Sequence, residues 1–383
     1  MRILHIGKYY SPFEGGIENF LSALLKQSSA SHISHIVLAH HHQLWKKTAV
    51  EQFDEATLLR SFTLCRLLFA PIAPFYYRHL KHTLKTFDPD ILHVHMPNLS
   101  AFWLLLLGKK LKIPIVVHWH ADVVSSRKNR LLSAAYFFYA KLENKLLARS
   151  NAIIVTSEPY LDISKPLAKW RQKCHVVPLG LDCEKKSSIP STTSTPAWKK
   201  AGSFKVLCIG RLTYYKGHEY LIRALSSTTD TELIIVGTGK LFGKYQTLVQ
   251  KLNLQEKITF FGHASAPQLN QLLASCDCLC LPSIERTEAF GLVLLEAMFY
   301  NKPCITTSVL GSGMSWVVQH GVTGLIVQPE NPGKLGEAIM QLQKNPEFAK
   351  KMGNEGKNRL IAQFSLSTVS NKITAVYNSL LSL

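Results

Sequence analysis

Acidic residues are scarce in this chain: 25 Asp and Glu stand against 44 Lys and Arg, a net charge of +19 over 383 residues. An imbalance of that size points to an anionic partner such as nucleic acid, a membrane surface or a phosphorylated ligand. No nucleic-acid recognition motif accompanies the charge, so nucleic acid is not an expected partner. Long hydrophobic runs are also missing. The longest, 99–108, is broken by Ser100 and ends at Lys109 and Lys110, well short of the roughly 18 apolar residues of a membrane-spanning helix. No signal peptide is read, because Arg2-Ile3-Leu4-His5-Ile6-Gly7 already has the pattern of a first strand; the expected location is the cytoplasm. Eight irregularly spaced cysteines exclude a disulfide framework. Cys276, Cys278 and Cys280 alternate, which on a strand puts all three on one face. A metal needs ligands converging from more than one element, so they read as small buried side chains.

What is present is a globular composition, 46% apolar and 18% charged, in a chain long enough for two or three domains. Strand patterns fall at 2–7, 34–39, 91–95, 113–118, 152–156 and 175–178, with helical patterns after 16 and at 74–85, 100–111, 130–148 and 158–170. Such alternation predicts a parallel sheet covered on both faces. From 183 to 202 the pattern collapses into Lys, Ser, Thr and Pro, the composition of a linker. Strands then resume at 204–209, 232–236, 258–261, 278–281, 303–306 and 324–327. The fold class is therefore α/β, with two Rossmann-like domains, 1–182 and 203–383, whose parallel sheets face across a cleft that holds the site.

The basic residues concentrate in two stretches. Between 57 and 87 lie Arg60, Arg66, Arg78, Lys81 and Lys85 with no acid, and between 123 and 150 lie Arg127, Lys128, Arg130, Lys141, Lys145 and Arg149 against Glu143 alone. Both carry aromatics: Phe69, Phe75, Tyr76 and Tyr77 in the first, Tyr136, Phe137, Phe138 and Tyr139 in the second. Docking on an anionic membrane surface and apolar faces packed on the sheet under solvated charges both account for this, and the sequence leaves the two open.

The chemistry gathers around Cys278-Leu279-Cys280-Leu281 and the residues after it as far as Met298. The run reads as a strand, a loop from Pro282 and a helix opening at Gly291. Backbone N–H groups of Gly291, Leu292 and Val293 at that opening have no intrahelical acceptor and form an anion site suited to phosphate. Glu288 lies just before them and Glu296 about 7 Å beyond Gly291 at a rise of about 1.5 Å per residue. Carboxylates do not bind phosphate, so in such a pocket they serve hydroxyl-rich groups on either side. A sugar, a diphosphate and a ribose laid end to end fit. A lone Glu pair would read more simply as solvated charge, but Gly210-Arg211-Leu212-Thr213-Tyr214-Tyr215-Lys216-Gly217 places an Arg and a Lys just past another strand, at the edge where parallel sheets collect ligands. A guanidinium fork and an ammonium suit a diphosphate.

These motifs resemble the retaining glycosyltransferases of family 4 (group 1), through the pair Glu288 and Glu296 at its seven-residue spacing, Gly-Arg-Leu-x-x-x-Lys-Gly and Val236-Gly237-x-Gly239. The resemblance implies the glycosyltransferase-B fold, with a last helix, about 366–383, packing back on the first domain. It implies a nucleotide diphosphate sugar donor, GDP- or UDP-linked, and no cofactor or metal. Arg211 and Lys216 would face the diphosphate and Glu288 the transferred sugar. Phe290 to Val293 would line the donor site and Glu296 would hold the ribose. Gly237 and Gly239 would lie near the nucleotide. In the first domain, Gly15 and Gly16 would lie beside the diphosphate, and His120, with Asp122 close by, would contact the sugar. Where many relatives carry a Glu, this chain has Trp316. That segment and His118-Trp119-His120-Ala121-Asp122 resemble a bacterial surface-polysaccharide subgroup, implying transfer of a hexose such as mannose to a lipid-linked or polysaccharide acceptor at the inner face of the membrane.

Alternatives are a same-fold transferase with a soluble glucan or small-molecule acceptor, a non-catalytic nucleotide-sugar-binding protein, and a nicotinamide oxidoreductase. The last is disfavoured because neither first-strand turn carries Gly-x-Gly-x-x-Gly. The pairs His93/His95 and His118/His120 are what alternating residues on adjacent strand ends produce, and zinc is not expected.

Overall fold

Apolar runs of four to seven residues, too short for helices, become buried parallel strands here and sort into two sheets. The computed structural model describes all residues except 14, 30–32, 54, 68–69, 109–110, 124–129, 189–197 and 382–383. The chain divides into two units, Met1–Leu179 with Leu366–Leu383, and Gly180–Ser365.

The first unit contains strands β1 (Arg2–Ile6), β2 (Ser34–His40), β3 (Ala49–Gln52), β4 (Thr57–Ser61), β5 (Cys65–Leu67), β6 (Ala70–Ile72), β7 (Ile91–Met96), β8 (Ile115–Trp119), β9 (Ala152–Val155) and β10 (Cys174–Val176). Eight of them form one sheet in the order β10-β9-β8-β7-β1-β2-β4-β3, while β5 and β6 pair separately. Only the β3–β4 edge of the large sheet is antiparallel. Every residue of β7, β8 and β9 is buried, as expected of strands covered on both faces. The terminal helix Leu366–Leu381 belongs to this unit.

The second unit has β11 (Phe204–Ile209), β12 (Thr231–Val236), β13 (Ile258–Gly262), β14 (Cys278–Leu281), β15 (Cys304–Thr307) and β16 (Gly324–Val327). All are parallel, in the order β13-β12-β11-β14-β15-β16, the doubly wound arrangement. Strand order reverses between β11 and β14, the place where such sheets open a crevice at their carboxyl edge. Cys276, Cys278 and Cys280 are all free thiols buried in this unit's interior. Burial pushes the Cys276 thiol up to about 12 and raises the other two well above the ordinary thiol range, so none is reactive.

Three expectations need correction. Strands β3 to β6 were not legible, and β4 draws part of the first basic stretch into the interior. Arg60 is 1% exposed and pairs with Glu51 at 2.6 Å, so it is no surface cation. Arg149 is likewise structural, donating to the Leu104 and Gly108 carbonyls. The pattern at 158–170 splits into a helix Glu158–Ile163 and a 3-10 helix Ala168–Lys173, because Pro166 has no N–H to continue the ladder. The linker is also shorter than its composition implies. Cys183–Ser188 is a helix, and beyond the undescribed 189–197 the chain is pinned down. Trp198 Nε1 donates to Ser275 Oγ, and the Lys199 and Lys200 amides donate to the Glu232 carboxylate. Both ends of the segment therefore belong to the second unit.

Candidate active site

Loops following β11, β12 and β14 meet backbone to backbone at the switch point, and glycines let them do so. A Cβ at Gly237, where φ is 138°, would run into the Gly210 carbonyl, one at Gly239 into the Leu212 carbonyl, and one at Gly217, where φ is 66°, into the Pro282 carbonyl. The Leu212 N–H donates to the Thr238 carbonyl at 2.9 Å and the Ile284 N–H to the Tyr215 carbonyl at 2.8 Å. Gly237 and Gly239 therefore shape the Gly210–Lys216 loop.

That packing brings Lys216 and Glu288 into an ion pair, with side chains 14% and 13% exposed. Burial opposes the Lys216 ammonium, but the adjacent Glu288 carboxylate more than offsets it and raises the lysine's pKa. Lys216 is therefore a fixed cation at neutral pH. Its stem lies along Gly210, where a Cβ would sit 3.1–3.2 Å from Cδ, Cε and Nζ. Arg211, from the same loop, is exposed.

The Glu288 loop is held from beneath. Ser312 Oγ donates to the Glu288 carbonyl, and the Gly313 N–H donates to the Ala289 carbonyl at 2.8 Å. The turn Gly311-Ser312-Gly313 thus acts as a clamp on the loop, a role its sequence did not disclose. Gly291 caps the helix Leu292–Phe299 with φ 82°, a conformation natural only to glycine. Leu292 and Val293 are the helix's first two residues, so their N–H groups point outward from its positive end. Phe290 differs from expectation: its side chain is buried against Trp316 and Phe364, which leaves only its backbone for a ligand. Trp316 is thereby part of an aromatic cluster, and its carbonyl accepts from Arg359 at 2.8 Å. Glu296 is partly exposed and lies 3.6 Å from Lys186. Lys186 falls in a stretch with the composition of a linker, and only the helix Cys183–Ser188 reveals it.

The remaining candidates belong to the first unit. Gly15 precedes the helix Gly16–Ser29, and a Cβ on it would collide with the Glu18 carboxylate. His120 follows β8, is 4% exposed, and has its Nε2 3.1 Å from His95 Nδ1. Burial, then His118 and His95, push its pKa well below the ordinary value, so the ring is neutral. Asp122 has one carboxylate oxygen engaged within the first unit. Its Oδ1 accepts from Trp119 Nε1 at 2.8 Å and Ser164 Oγ at 2.7 Å, and its N–H donates to Tyr160 Oη. It fixes the chain leaving β8, and with it His120.

Two family models match almost end to end. "Glycosyltransferase Family 4" covers residues 14–185 and "Glycosyl transferases group 1" covers residues 193–359. The chain belongs to the family 4 glycosyltransferases. Among curated relatives, this glycosyltransferase is 29% identical to the D-rhamnosyltransferase WbpZ of Pseudomonas aeruginosa, over 94% of this chain and 91% of that one. It is 26% identical to the O-antigen chain mannosyltransferase C of Escherichia coli, over 100% and 99%. Among solved structures it resembles Anabaena Alr3699/HepE in complex with UDP-glucose, with a TM-score of 0.73 at 19% identity over 99% of this chain and 100% of that one. No helix of the glycosyltransferase, among the described residues, is long and apolar enough to cross a membrane.

Proposed function

We propose that this glycosyltransferase moves a hexose, mannose or a similar sugar, from a GDP- or UDP-linked donor to a lipid-linked or polysaccharide acceptor in bacterial surface-polysaccharide assembly. The reaction retains anomeric configuration and needs no divalent metal. The observation that carries the donor half is the Lys216–Glu288 pair at the switch point, beside Arg211 and the start of Leu292–Phe299. The pathway half rests on the likeness to WbpZ and mannosyltransferase C.

In this reading the bond between the anomeric carbon and the diphosphate breaks, and the acceptor oxygen bonds to the same face. Its proton passes to the departing phosphate oxygen. Arg211, Lys216 and the helix-start amides stabilise the charge growing on that phosphate, and being fixed in advance they need no reorganisation. With two cations supplied by the chain, a metal is not required. A carboxylate offers about four acceptor sites, so Glu288 can hold the ammonium with some and sugar hydroxyls with others. Glu296 takes the ribose hydroxyls.

The test is a thermal-shift panel of GDP, UDP, ADP, CMP and NAD in EDTA, on wild type, Arg211→Ala and Glu296→Ala. A ligand raises the melting temperature only if it prefers the folded state, by about 2.7 kcal/mol of stability at a hundredfold excess over Kd. One nucleoside diphosphate should stabilise the wild type, and neither variant should respond. A response to NAD alone, or to nothing, overturns the proposal. With the matching sugar donor, the anomeric configuration of the product read by NMR checks retention.

Association with an anionic membrane is the second part of the proposal. Arg78, Lys81 and Lys85 are exposed on the helix Tyr76–Phe87, as are Lys141 and Lys145 on Arg130–Arg149. Both helices pack on the 3-10 helix Leu99–Leu107, through Tyr77 with Trp103 and Phe102 with Tyr139. Exposed among them are Phe75, Leu106, Phe137 and Phe138. Each basic residue near an anionic surface contributes about 1 kcal/mol. The protein should sediment with vesicles containing phosphatidylserine and not with phosphatidylcholine alone, and less in high salt. Equal sedimentation with both would refute the electrostatic part.

A further inference from the structure

Beside His120, the described residues of the first unit include six further buried histidines, and five of them gather around it with no role assigned above: His5, His35, His93, His95 and His118. They lie on β1, β2, β7 and β8, brought level by the parallel register that sets His5 beside His93 and His95 beside His118. Four rings join into one line. Ser28 Oγ lies 2.8 Å from His35 Nε2, His35 Nδ1 3.1 Å from His5 Nε2, His5 Nδ1 3.3 Å from His95 Nε2, and His95 Nδ1 3.1 Å from His120 Nε2. His35, His5 and His95 are each entered at one nitrogen and left at the other, and His120 ends the line. A shorter line stacks on it: Tyr377 Oη to His93 Nδ1, and His93 Nε2 to His118 Nδ1 at 3.2 Å. His93 lies over His95 with ring centres 4.5 Å apart, and His118 over His120 at 4.2 Å.

A neutral imidazole carries one N–H and one lone pair, so in such a line each ring's tautomer dictates the next. Ser28 sets the direction. Its hydroxyl has the Leu24 carbonyl at 2.8 Å, the back-bond that serines make inside helices, and with its proton spent there Oγ can only accept. His35 must then donate from Nε2 and accept at Nδ1. The same assignment passes to His5, to His95 and to His120, which donates from Nε2. The Nδ1 of His120, buried and without a partner among the described residues, is left as a bare lone pair. Reversing the line would put an orphaned buried N–H there, which proteins avoid more strictly than an unfilled acceptor.

Two trios, His5/His93/His95 and His95/His118/His120, have ligand atoms within 4.8 Å of one another, which invites a metal instead. The ring geometry favours hydrogen bonds. His95 and His120 have centres 5.4 Å apart and planes 11° from parallel around a 3.1 Å nitrogen contact. That is close to the widest centre separation such a contact permits. The lone pair of one ring therefore faces the N–H of the next along the line of centres, while a metal needs lone pairs converging on a point off it.

We infer that Ser28, His35, His5 and His95 are positioning residues that lock His120 in its Nε2–H tautomer, so that the site takes a hydroxyl donating to Nδ1 and refuses an acceptor-only group such as a uronate carboxylate. Naming that hydroxyl as a sugar's rests on the function proposed above; the tautomer lock does not.

Nitrogen NMR of the histidine-labelled full-length protein tests the lock without any donor. Wild-type His120 should show a protonated Nε2 and a bare Nδ1. Ser28→Ala should give a mixture of both tautomers, and Ser28→Thr, which keeps the hydroxyl, should restore the wild-type signal. With the donor identified by the thermal-shift panel, Ser28→Ala should weaken its binding roughly two- to tenfold, the worth of one neutral hydrogen bond, and Ser28→Thr should recover it. A protonated Nδ1 in the wild type, an unchanged tautomer in Ser28→Ala, or a stoichiometric metal in the purified protein would overturn the inference; the wild-type spectrum needs no variant to fold. A tautomer that shifts in Ser28→Ala with donor binding unchanged upholds the lock and overturns the sugar assignment.

Discussion

Lys216→Met is expected to lose roughly 100- to 1,000-fold in kcat/KM, the scale on which removal of one preorganised charge-stabilising donor acts. The variant carries a second consequence, because the Glu288 carboxylate is only 13% exposed and would be left without its cation. Truncating one member of a buried pair costs more than the pair itself contributes, so a lower melting temperature should accompany the lost activity. Lys216→Met combined with Glu288→Gln separates the two effects. The double variant removes the stranded charge and should regain most of the thermal stability while staying inactive. A double variant that regains turnover along with stability would show that Lys216 does nothing for the diphosphate.

Glu143→Gln should stabilise the protein, and more so as pH rises. Glu143 sits on the helix Arg130–Arg149 and is 2% exposed, with Oε2 unpartnered among the described residues. Burial, then the charge of Asp122, push its pKa up to about 8. The folded chain therefore keeps this proton from the ordinary carboxylate range up to about pH 8, whereas the unfolded chain releases it. Stability is intact below the unfolded pKa and declines as pH climbs through that window, by about 3–5 kcal/mol once the folded pKa is passed. Glutamine is neutral throughout and escapes the decline. Melting temperatures of wild type and variant should nearly coincide at pH 5 and diverge towards pH 8.5, the variant higher. Curves that stay parallel across this range would mean that the carboxyl is solvated.

How much of this could be read in advance depends on whether a feature is local in sequence. The strand at Cys278–Leu281 and the helix opening after Gly291 were legible, because an apolar run and a glycine define them within twenty residues. The cations Arg211 and Lys216 were legible as a motif behind a strand. Their relation to Glu288 was not: Lys216 and Glu288 meet only because β11 and β14 are neighbours, and strand order is not written in either segment. Asp122 has a structural role that was equally hidden. Its place after His120 suggested a ligand group, and nothing local showed that its Oδ1 also serves Trp119 and Ser164. Lys186 was concealed by composition, since a Lys- and Ser-rich stretch reads as linker until a helix carries it to Glu296. The histidines were visible one by one as alternating strand residues, whereas their alignment depends on lateral register across four strands, which hydrophobic pattern alone leaves free.

The return of the last helix to the first unit has a consequence for how the protein is made. The second unit is one uninterrupted segment, Gly180–Ser365, whereas the first is completed only by Leu366–Leu383. Chains emerge from the ribosome N-terminus first, at about 5–20 residues per second, so the second unit can close while the first still lacks its final layer. His93 waits longest, since Tyr377, the phenol it bonds to, follows the whole of the second unit in the chain. A chain terminated after residue 365 would thus release a finished second unit tethered to an incomplete first one, a natural client for chaperones.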